Sequence, residues 1–326
     1  MFSLVIPSIN RPNFLKQYVD FLEYQNFDGE VIIGDSSNDE NYKIFEEYYK
    51  SKKLPFRITH LQKKNKDHFE VVRELVPLIK FEYSMYICDD DYILYKNVKK
   101  CINFLKENND YSVVGGISLG IVLNSKNTNQ IDFIDELNFY ELLEDKASLR
   151  LKKLAEEYSV IAYSISRTSD LKKRWLINTK MTSRDIAVEV HPCFHMAVEG
   201  KVKKINDIFV FRLLHSKRIL DPALPLDRFL NPKYFISIKE SINILSKIIS
   251  IKENIDDIAA ESLVKISYND YIRRRVNRRR KYKNYFFLKI KRIIERIKYI
   301  IINKDIKYLL INKHNEDKIF NEFNTF

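Results

Sequence analysis

The chain has 326 residues, 45% of them hydrophobic, and carries 56 basic against 44 acidic side chains, a formal net charge of +12. This size can bury an α/β domain of about 220 residues and a smaller helical one. The three cysteines, Cys88, Cys101 and Cys193, are widely spaced and odd in number. They argue against a disulfide framework and a zinc ribbon, and they are typical of a reducing compartment.

The first ninety residues alternate between two hydrophobic patterns. Short apolar runs predict strands at 2–7, 31–34, 56–61 and 83–88. Apolar residues at helical spacing predict helices at 13–24, with Asn13 as a candidate cap, at 42–50, and at 69–79 around Pro77. Because the links are short, the alternation predicts an α/β fold, with a mostly parallel sheet covered by helices on both faces.

Polar side chains follow three of these strands. They are Ser8, Asn10 and Arg11 after the first strand, Asp35 and Ser36 after the second, and Asp89, Asp90 and Asp91 after the fourth. The carboxyl ends of parallel strands share one edge of a sheet, so these residues are expected to line one nucleotide-sized cleft. The first turn, PSINRPN, contains no glycine, which excludes the dinucleotide fingerprint and the P-loop.

The three consecutive aspartates, Asp89 to Asp91, are the strongest chemical signal. Like charges repel, so a folded chain keeps three together chiefly where a cation or a set of donors offsets the charge. This pattern indicates a divalent metal ion and a phosphorylated substrate. The alternative is a solvated loop whose acids cap the next helix.

Three segments resemble, in order and in spacing, the signature blocks of glycosyltransferase family 2: SLVIPSINRPNFLKQYVDFLE, EVIIGDSSND and YSMYICDDDYILYKN. The resemblance is strong over residues 1–105 and weaker to 218. It implies the GT-A fold, a nucleotide-diphosphate sugar donor with a UDP-sugar favoured, a divalent Mn²⁺ or Mg²⁺ ion, and inversion at the sugar carbon. Gly34 and Tyr92 stand where the family commonly has acids.

The resemblance also implies a role for individual residues. Those implied to bind the nucleotide sugar are Pro7, Ser8, Asn10, Arg11, Asp35, Ser36, Asp89 and Asp90, with Asp35 accepting from the base. Asp91 is implied to be the direct metal ligand, with Asp89 as a second carboxylate. His215, directly after a strand predicted at 209–214, is a further candidate metal ligand.

The segment SRDIAVEVH, 183–191, lies where the family places its general base. The resemblance implies that Asp185 takes the proton of the acceptor hydroxyl, although Arg184 stands where the family has Glu. Capping of its helix is the structural alternative for Asp185, and Glu189, one turn later, is the alternative base. His191 and His195 lie four residues apart around Pro192 with no evident third ligand, so a zinc site there is not expected.

All of the excess positive charge lies near the C-terminus. Residues 271–300 hold 13 Lys and Arg against one Glu, which leaves 43 of each sign elsewhere. Within this segment, 286–301 has an apolar stripe opposite basic residues, the pattern of an amphipathic helix. It predicts either an anionic membrane surface as the partner of 271–301 or packing on the catalytic domain; nucleic acid is not expected, because the rest of the chain is neutral.

These observations combine into one functional hypothesis. Residues 1–220 are expected to form a GT-A catalytic domain and 221–326 a basic helical region. The enzyme would be a metal-dependent inverting glycosyltransferase that acts on a cell-surface glycan or a lipid-linked acceptor. No apolar run is long enough to span a membrane and the chain enters a strand at once, so we expect a cytoplasmic protein, peripheral at the inner face of the membrane. The alternatives are a sugar nucleotidyltransferase, which normally has a glycine-rich first turn, and a degenerate GT-A scaffold protein.

Overall fold

The computed structural model describes residues 1–123, 131–214 and 231–278. His215, the predicted domain boundary at 220/221 and the amphipathic stretch at 286–301 lie outside the described residues, so each of them stays a prediction. Within the described ranges, no helix is both long enough and apolar enough to cross a bilayer.

The strands are β1 (Ser3–Ser8), β2 (Glu30–Asp35), β3 (Arg57–Gln62), β4 (Tyr83–Tyr86), β5 (Asp91–Ile93), β6 (Tyr111–Leu123), β7 (Ile131–Leu137), β8 (Ile165–Arg167) and β9 (Lys201–Leu214). The helices are α1 (Pro12–Tyr24), α2 (Asp39–Lys50), α3 (His68–Leu75), α4 (Val98–Glu107), α5 (Ala147–Glu156), α6 (Thr168–Leu176), α7 (His191–Glu199), α8 (Pro232–Glu253) and α9 (Asp257–Arg278). Their alternation over the first ninety residues confirms the predicted α/β class.

The strands form one sheet in the order β3-β2-β1-β4-β8-β6-β9-β5, with β7 beside β6. The first four strands in the chain are parallel, as the sequence predicts. Beyond β4 the sheet is mixed, because β8 runs antiparallel to both of its neighbours while β6 and β9 are parallel. The carboxyl ends of β1, β2 and β4 therefore meet at one edge, and β5 joins the sheet through an antiparallel pairing with β9.

Helix α2 begins at Asp39, earlier than the predicted 42, because the Asn38 side chain caps it. Two other helix boundaries differ from the sequence prediction, and proline explains both. Helix α1 begins at Pro12 rather than after an Asn13 cap, since the fixed φ of proline suits the first helical position. Helix α3 ends at Leu75 and is followed by a 3₁₀ turn, Val76–Leu78, around Pro77. Proline has no N–H to continue the α-helical hydrogen bonds, so the predicted helix to residue 79 is interrupted.

The buried residues form two hydrophobic cores. The first lies around β1 to β5 and includes Phe2, Tyr18 and Tyr92. The second is built by α5, α7, α8 and α9, with Phe194 and Tyr268 among its largest buried side chains. Helices α8 and α9 thus share a core with α5 and α7.

Two local features position side chains at the edge of the sheet. In the β5–β9 pairing, Asp91 stands directly opposite Arg212, so these two residues are neighbours across the ladder. A π-helical turn, Ile186–Val190, precedes α7 and continues into it. Such wide turns occur frequently at functional sites, because they place side chains at positions that a regular α-helix does not offer.

Candidate active site

A cavity of about 280 Å³ lies at the carboxyl ends of β1 and β4. Of the residues that the sequence predicts, the cavity is lined by Pro7, Ser8, Arg11, Ser36, Asp89, Asp90, Asp91, Asp185 and Glu189. The two strand ends supply one wall, and the turn before α7 supplies another. Pro7 and Glu189, which are 182 positions apart in the chain, are thus brought into one cavity.

The aspartate triplet is held by a buried arginine. Arg11 Nη1 donates to Asp89 Oδ1 and to Asp90 Oδ2, each at 2.9 Å, and Ser8 Oγ donates to Asp89 Oδ2 at 2.7 Å. Burial alone would lower the pKa of Arg11, but the charges of Asp89 and Asp90 raise it above its ordinary value. Burial raises the pKa of Asp89, and Arg11 opposes that shift. These donors offset charge that would otherwise drive the carboxylates apart.

Asp91 has a different cation beside it. Arg212 Nε lies 3.5 Å from Asp91 Oδ2, and the guanidinium stands over the ring of Tyr163, with 4.8 Å from Cζ to the ring centroid. Burial would lower the pKa of Arg212, but Asp91 raises it above its ordinary value. Each of the three aspartates therefore has an arginine beside it, but the two guanidinium groups offset only two of the three negative charges.

A second group of ligand atoms overlaps the triplet. The Cys88 sulfur and one carboxylate oxygen each from Asp90 and Asp91 all lie within 4.8 Å of one another. Tyr163 donates a hydrogen bond from its hydroxyl to Cys88 Sγ at 3.0 Å. Burial, together with the charges of Asp90 and Asp91, raises the pKa of Cys88 to about 12. Asp89 is not part of this group; both of its carboxylate oxygens accept hydrogen bonds from Ser8 and Arg11.

The opposite wall carries Asp185 and Glu189. Asp185 is half-buried at the start of the helical segment and makes no side-chain capping hydrogen bond to the turn after it. Glu189 Oε1 accepts from the Tyr158 hydroxyl at 3.1 Å and lies 4.0 Å from Arg275 Nη2 of α9. Both carboxylates line the cavity, and the approach of Glu189 to Arg275 connects this wall to α9.

His68 lies beside the aspartate wall. Its Nε2 is hydrogen-bonded to the hydroxyl of Tyr86, and it lines the cavity at the start of α3. Burial, reinforced by the positive charge of Arg184, lowers the pKa of His68 to about 3. This imidazole is therefore neutral at ordinary pH.

Asn10 and Asp35 lie outside the cavity lining. Asp35 is buried, and its oxygens accept from the Ser37 N–H at 2.9 Å and meet His60 Nε2 at 3.1 Å. Asn10 has a left-handed backbone, with φ of 50°, and its N–H donates to Ser37 Oγ at 2.6 Å. Both residues shape the first two turns, and their predicted contacts with a nucleotide stay predictions.

Gly34 stands where the resembling family commonly has an acidic residue, and the structure gives a steric reason for the glycine. A Cβ at this position would overlap Val71 on α3. Glycine therefore lets α3 pack directly on β2, and an acidic side chain could not stand there without moving the helix.

His191 and His195 belong to the second core. His191 Nδ1 is hydrogen-bonded to Ser241 Oγ at 2.7 Å, and the two imidazole centroids are 5.4 Å apart. Burial lowers the pKa of His191 to about 3 and that of His195 well below its ordinary value. Their contacts are those of packed structural side chains.

The pattern described as Glycosyl transferase family 2 matches residues 3–175, which is more than half of the chain. The chain belongs to glycosyltransferase family 2. The matched segment contains β1 to β5 and the whole aspartate triplet. Asp185, Glu189 and Arg212 of this glycosyltransferase lie beyond it. No curated protein sequence matches the chain.

Solved structures of similar fold include two of TarS from S. aureus. TarS 1–349 in complex with UDP-GlcNAc superimposes with a TM-score of 0.53 at 16% identity, covering 88% of this glycosyltransferase and 78% of TarS 1–349. A second structure of TarS 1–349 gives a TM-score of 0.52 at 15% identity, with 91% and 80% covered. At these identities the likeness concerns the fold, and it confirms the GT-A architecture.

Among the cavity residues that the sequence prediction did not assign to the site are His68, Cys88, Tyr163 and Arg212. The sequence contained one indication that Cys88 belongs to the site, because this residue directly precedes the aspartates. Arg212 could have been found only from the pairing of β5 with β9, which a single sequence does not reveal. Tyr163 and His68 come from distant segments with no motif around them.

Proposed function

We propose that this glycosyltransferase moves a sugar from a nucleotide-diphosphate donor to a hydroxyl group of a cell-surface glycan or lipid-linked acceptor, with inversion at the sugar carbon. The observation that carries the proposal is that Asp90 and Asp91, after β4, and Asp185, in the segment before α7, line the same cavity. Inversion needs the base and the leaving group on opposite sides of the reacting carbon.

The donor side is proposed to lie along β1 and β4. Pro7, Ser8 and Ser36 line the cavity there, at the strand ends where nucleotides bind in open α/β sheets. S. aureus TarS, which shares the fold, has been solved with UDP-GlcNAc. This supports a UDP-sugar as the first donor to test.

The residues present fit a divalent metal. Asp90 and Asp91 supply the hard oxygen ligands that Mn²⁺ and Mg²⁺ take, and these ions need few ligands from protein. When bound there, such an ion would stabilise the negative charge of the departing diphosphate. Asp89 fits this role less well, since Ser8 and Arg11 already occupy its oxygens; it is better suited to positioning Arg11.

The protein's own groups account for the other parts of the reaction. Asp185 is proposed to remove the proton from the acceptor hydroxyl, which makes that oxygen a nucleophile. Arg212 and Arg184, which both line the cavity, are proposed to hold the diphosphate as its charge develops, since guanidinium groups bind phosphate oxygens in a bidentate manner. His68, which is neutral, can donate or accept a hydrogen bond in the cavity but adds no charge beside the aspartates.

The alternatives receive less support. A sugar nucleotidyltransferase normally has a glycine-rich first turn, whereas here Asn10 supplies the left-handed residue and no glycine is present. A scaffold protein without activity would have no need of a carboxylate opposite the aspartates. Asp185 occupies that position in the cavity.

The proposal is tested by calorimetric titration of UDP, GDP and CDP into the full chain, with and without Mn²⁺. We expect one nucleotide to bind in a metal-dependent way, and we expect Asp91→Asn to abolish that dependence because a ligand carboxylate is lost. Asp185→Asn is the matched control, since it makes the same chemical change on the opposite wall and should leave nucleotide binding unaltered. Equal metal-dependent binding by Asp91→Asn would contradict the proposal.

We further propose that residues 271–301 bind an anionic membrane surface, which would suit a lipid-linked acceptor. The support is the charge of this segment and its attachment to the site: α9 carries Arg275, which stacks on Tyr158 and approaches Glu189. Each basic residue near an anionic leaflet contributes about 1 kcal/mol, an attraction that weakens as salt rises.

Truncation after Arg278 tests the membrane proposal. This end point keeps Tyr271, which is buried in the second core, and Arg275, so the catalytic domain should stay folded. We expect the truncated protein to lose salt-sensitive binding to vesicles containing phosphatidylserine while still binding nucleotide. Undiminished vesicle binding would show that the basic segment packs elsewhere or serves another partner.

A further inference from the structure

Cys88 places a sulfur atom among the carboxylates of the proposed metal site. It lies two residues after β4, immediately before the triplet, and lines the cavity together with Asp90 and Asp91. We infer that Cys88 is a metal ligand of this glycosyltransferase and that it makes the site prefer thiophilic ions such as Zn²⁺ and Co²⁺ over Mg²⁺. The inference rests on the proposed function, because it concerns the metal that the proposed function requires.

The positions of the three ligand atoms suit a single ion. Zinc lies about 2.3 Å from a cysteine sulfur and about 2.0–2.2 Å from carboxylate oxygens, so in its tetrahedral arrangement the ligand atoms lie about 3.5 Å apart. The Cys88 sulfur and the oxygens of Asp90 and Asp91 fall within 4.8 Å of one another before any ion is bound. A side-chain adjustment of about 1 Å would bring all three onto one ion.

Two tyrosine hydroxyls near the sulfur would stabilise a metal-bound thiolate against the burial and the carboxylate charges that raise the pKa of the free thiol. The Tyr163 hydroxyl donates to Cys88 Sγ at 3.0 Å, and the Tyr86 hydroxyl lies 3.5 Å from the same atom. Outer partners of this kind orient a ligand and stabilise its charge. On binding, the metal–sulfur bond forms and the thiol proton is released to solvent, as cysteine ligation requires.

The mixed donor set determines which ion is preferred. Carboxylate oxygens alone suit Mg²⁺ and Mn²⁺, whereas a thiolate favours Zn²⁺ and other softer ions. A site with one sulfur and two oxygens would therefore bind Zn²⁺ and Co²⁺ through three protein ligands and leave a position open for a phosphate oxygen. Mg²⁺ would gain little from the sulfur.

Cobalt is the probe that tests the inference directly, because a cobalt–thiolate bond produces a charge-transfer absorption band. Co²⁺ is titrated into the full-length protein, Cys88→Ser and the control Cys101→Ala, whose thiol is buried in α4 away from the cavity. We expect the band in the wild type and in the control, at one equivalent, and no band in Cys88→Ser.

The Zn²⁺ affinity of each variant is measured by competition between Zn²⁺ and the bound Co²⁺. Loss of an outer partner costs about 10- to 100-fold in metal affinity, so we expect Cys88→Ser, which loses a direct ligand, to weaken Zn²⁺ by roughly 100-fold or more while Mn²⁺ affinity changes little. Tyr163→Phe should keep the cobalt band and bind Zn²⁺ roughly tenfold more weakly. Circular dichroism is used to check that each variant is folded.

The outcomes separate this inference from the proposed function. Co²⁺ binding without the band, or equal Zn²⁺ affinity in Cys88→Ser and wild type, overturns the inference and leaves an oxygen-only metal site, with the nucleotide titration unaffected. If no ion binds in any variant, metal dependence and the role of Cys88 both fail. Nucleotide binding without metal would then still support sugar transfer.

Discussion

Asp185→Asn is expected to lower kcat by about 10²- to 10⁴-fold, the usual contribution of a general base, while nucleotide affinity stays unchanged. The amide keeps the size of the side chain but cannot accept a proton, and Asp185 lies on the wall opposite the aspartates, so donor contacts are retained. Steady-state rates with a sugar acceptor and calorimetry with nucleotide measure the two effects separately.

Glu189→Gln is the matched control for the base. Glu189 is held by Tyr158 and faces Arg275, so we expect this change to affect the position of α9 more than proton transfer, and to lower kcat far less than Asp185→Asn. The reverse order, with Glu189→Gln inactive and Asp185→Asn active, would transfer the role of base to Glu189. Full activity of both variants would exclude this wall from the chemistry.

Arg11→Met is expected to reduce the free energy of unfolding by about 3–5 kcal/mol, the usual cost of removing one partner from a buried ion pair. The guanidinium is buried and donates to both Asp89 and Asp90, and methionine fills much of the volume without supplying charge. Two carboxylates would then be left without their principal cation. Urea denaturation in the absence of metal measures the loss.

A double-mutant cycle identifies the cause of that loss. The double variant Arg11→Met with Asp89→Asn removes the negative charge of Asp89 as well. It should recover part of the lost stability, because Asp90 is then the only carboxylate left without its arginine. Equal losses in the single and double variants would mean that Arg11 acts by packing, for instance against Phe14, which its guanidinium approaches to 5.4 Å from the ring centroid.

The sequence predicted the first half of the fold well, because that half depends on local patterns. Each buried parallel strand is a short apolar run bounded by polar residues, and β1 to β4 lie within a residue or two of their predicted positions. The mixed half of the sheet was not predicted. The pairing of β9 with both β6 and β5 joins segments about 90 and 120 residues apart, and no local pattern records such a pairing.

The candidate site shows the same division. The aspartate triplet and Asp185 were found because a motif or a family spacing marks them, and the structure brings them to one cavity. The charge of the triplet was taken to indicate a metal ion; Arg11 and Arg212 offset two of its three negative charges, which leaves one for a further cation. Both arginines contact the aspartates only in the folded protein. The charges of neighbouring residues in the sequence therefore could not show that these arginines lie beside the triplet.

The two hydrophobic cores bear on how such an enzyme can diverge. The aspartates are held by the first core, whereas the segment of Asp185 and Glu189 is anchored by Ile186 and Val190 in the second core, together with α8 and α9. Substitutions that reshape one core need not repack the other. Under the proposed function, the wall that carries Asp185 could therefore vary during evolution while the packing around the aspartates is retained.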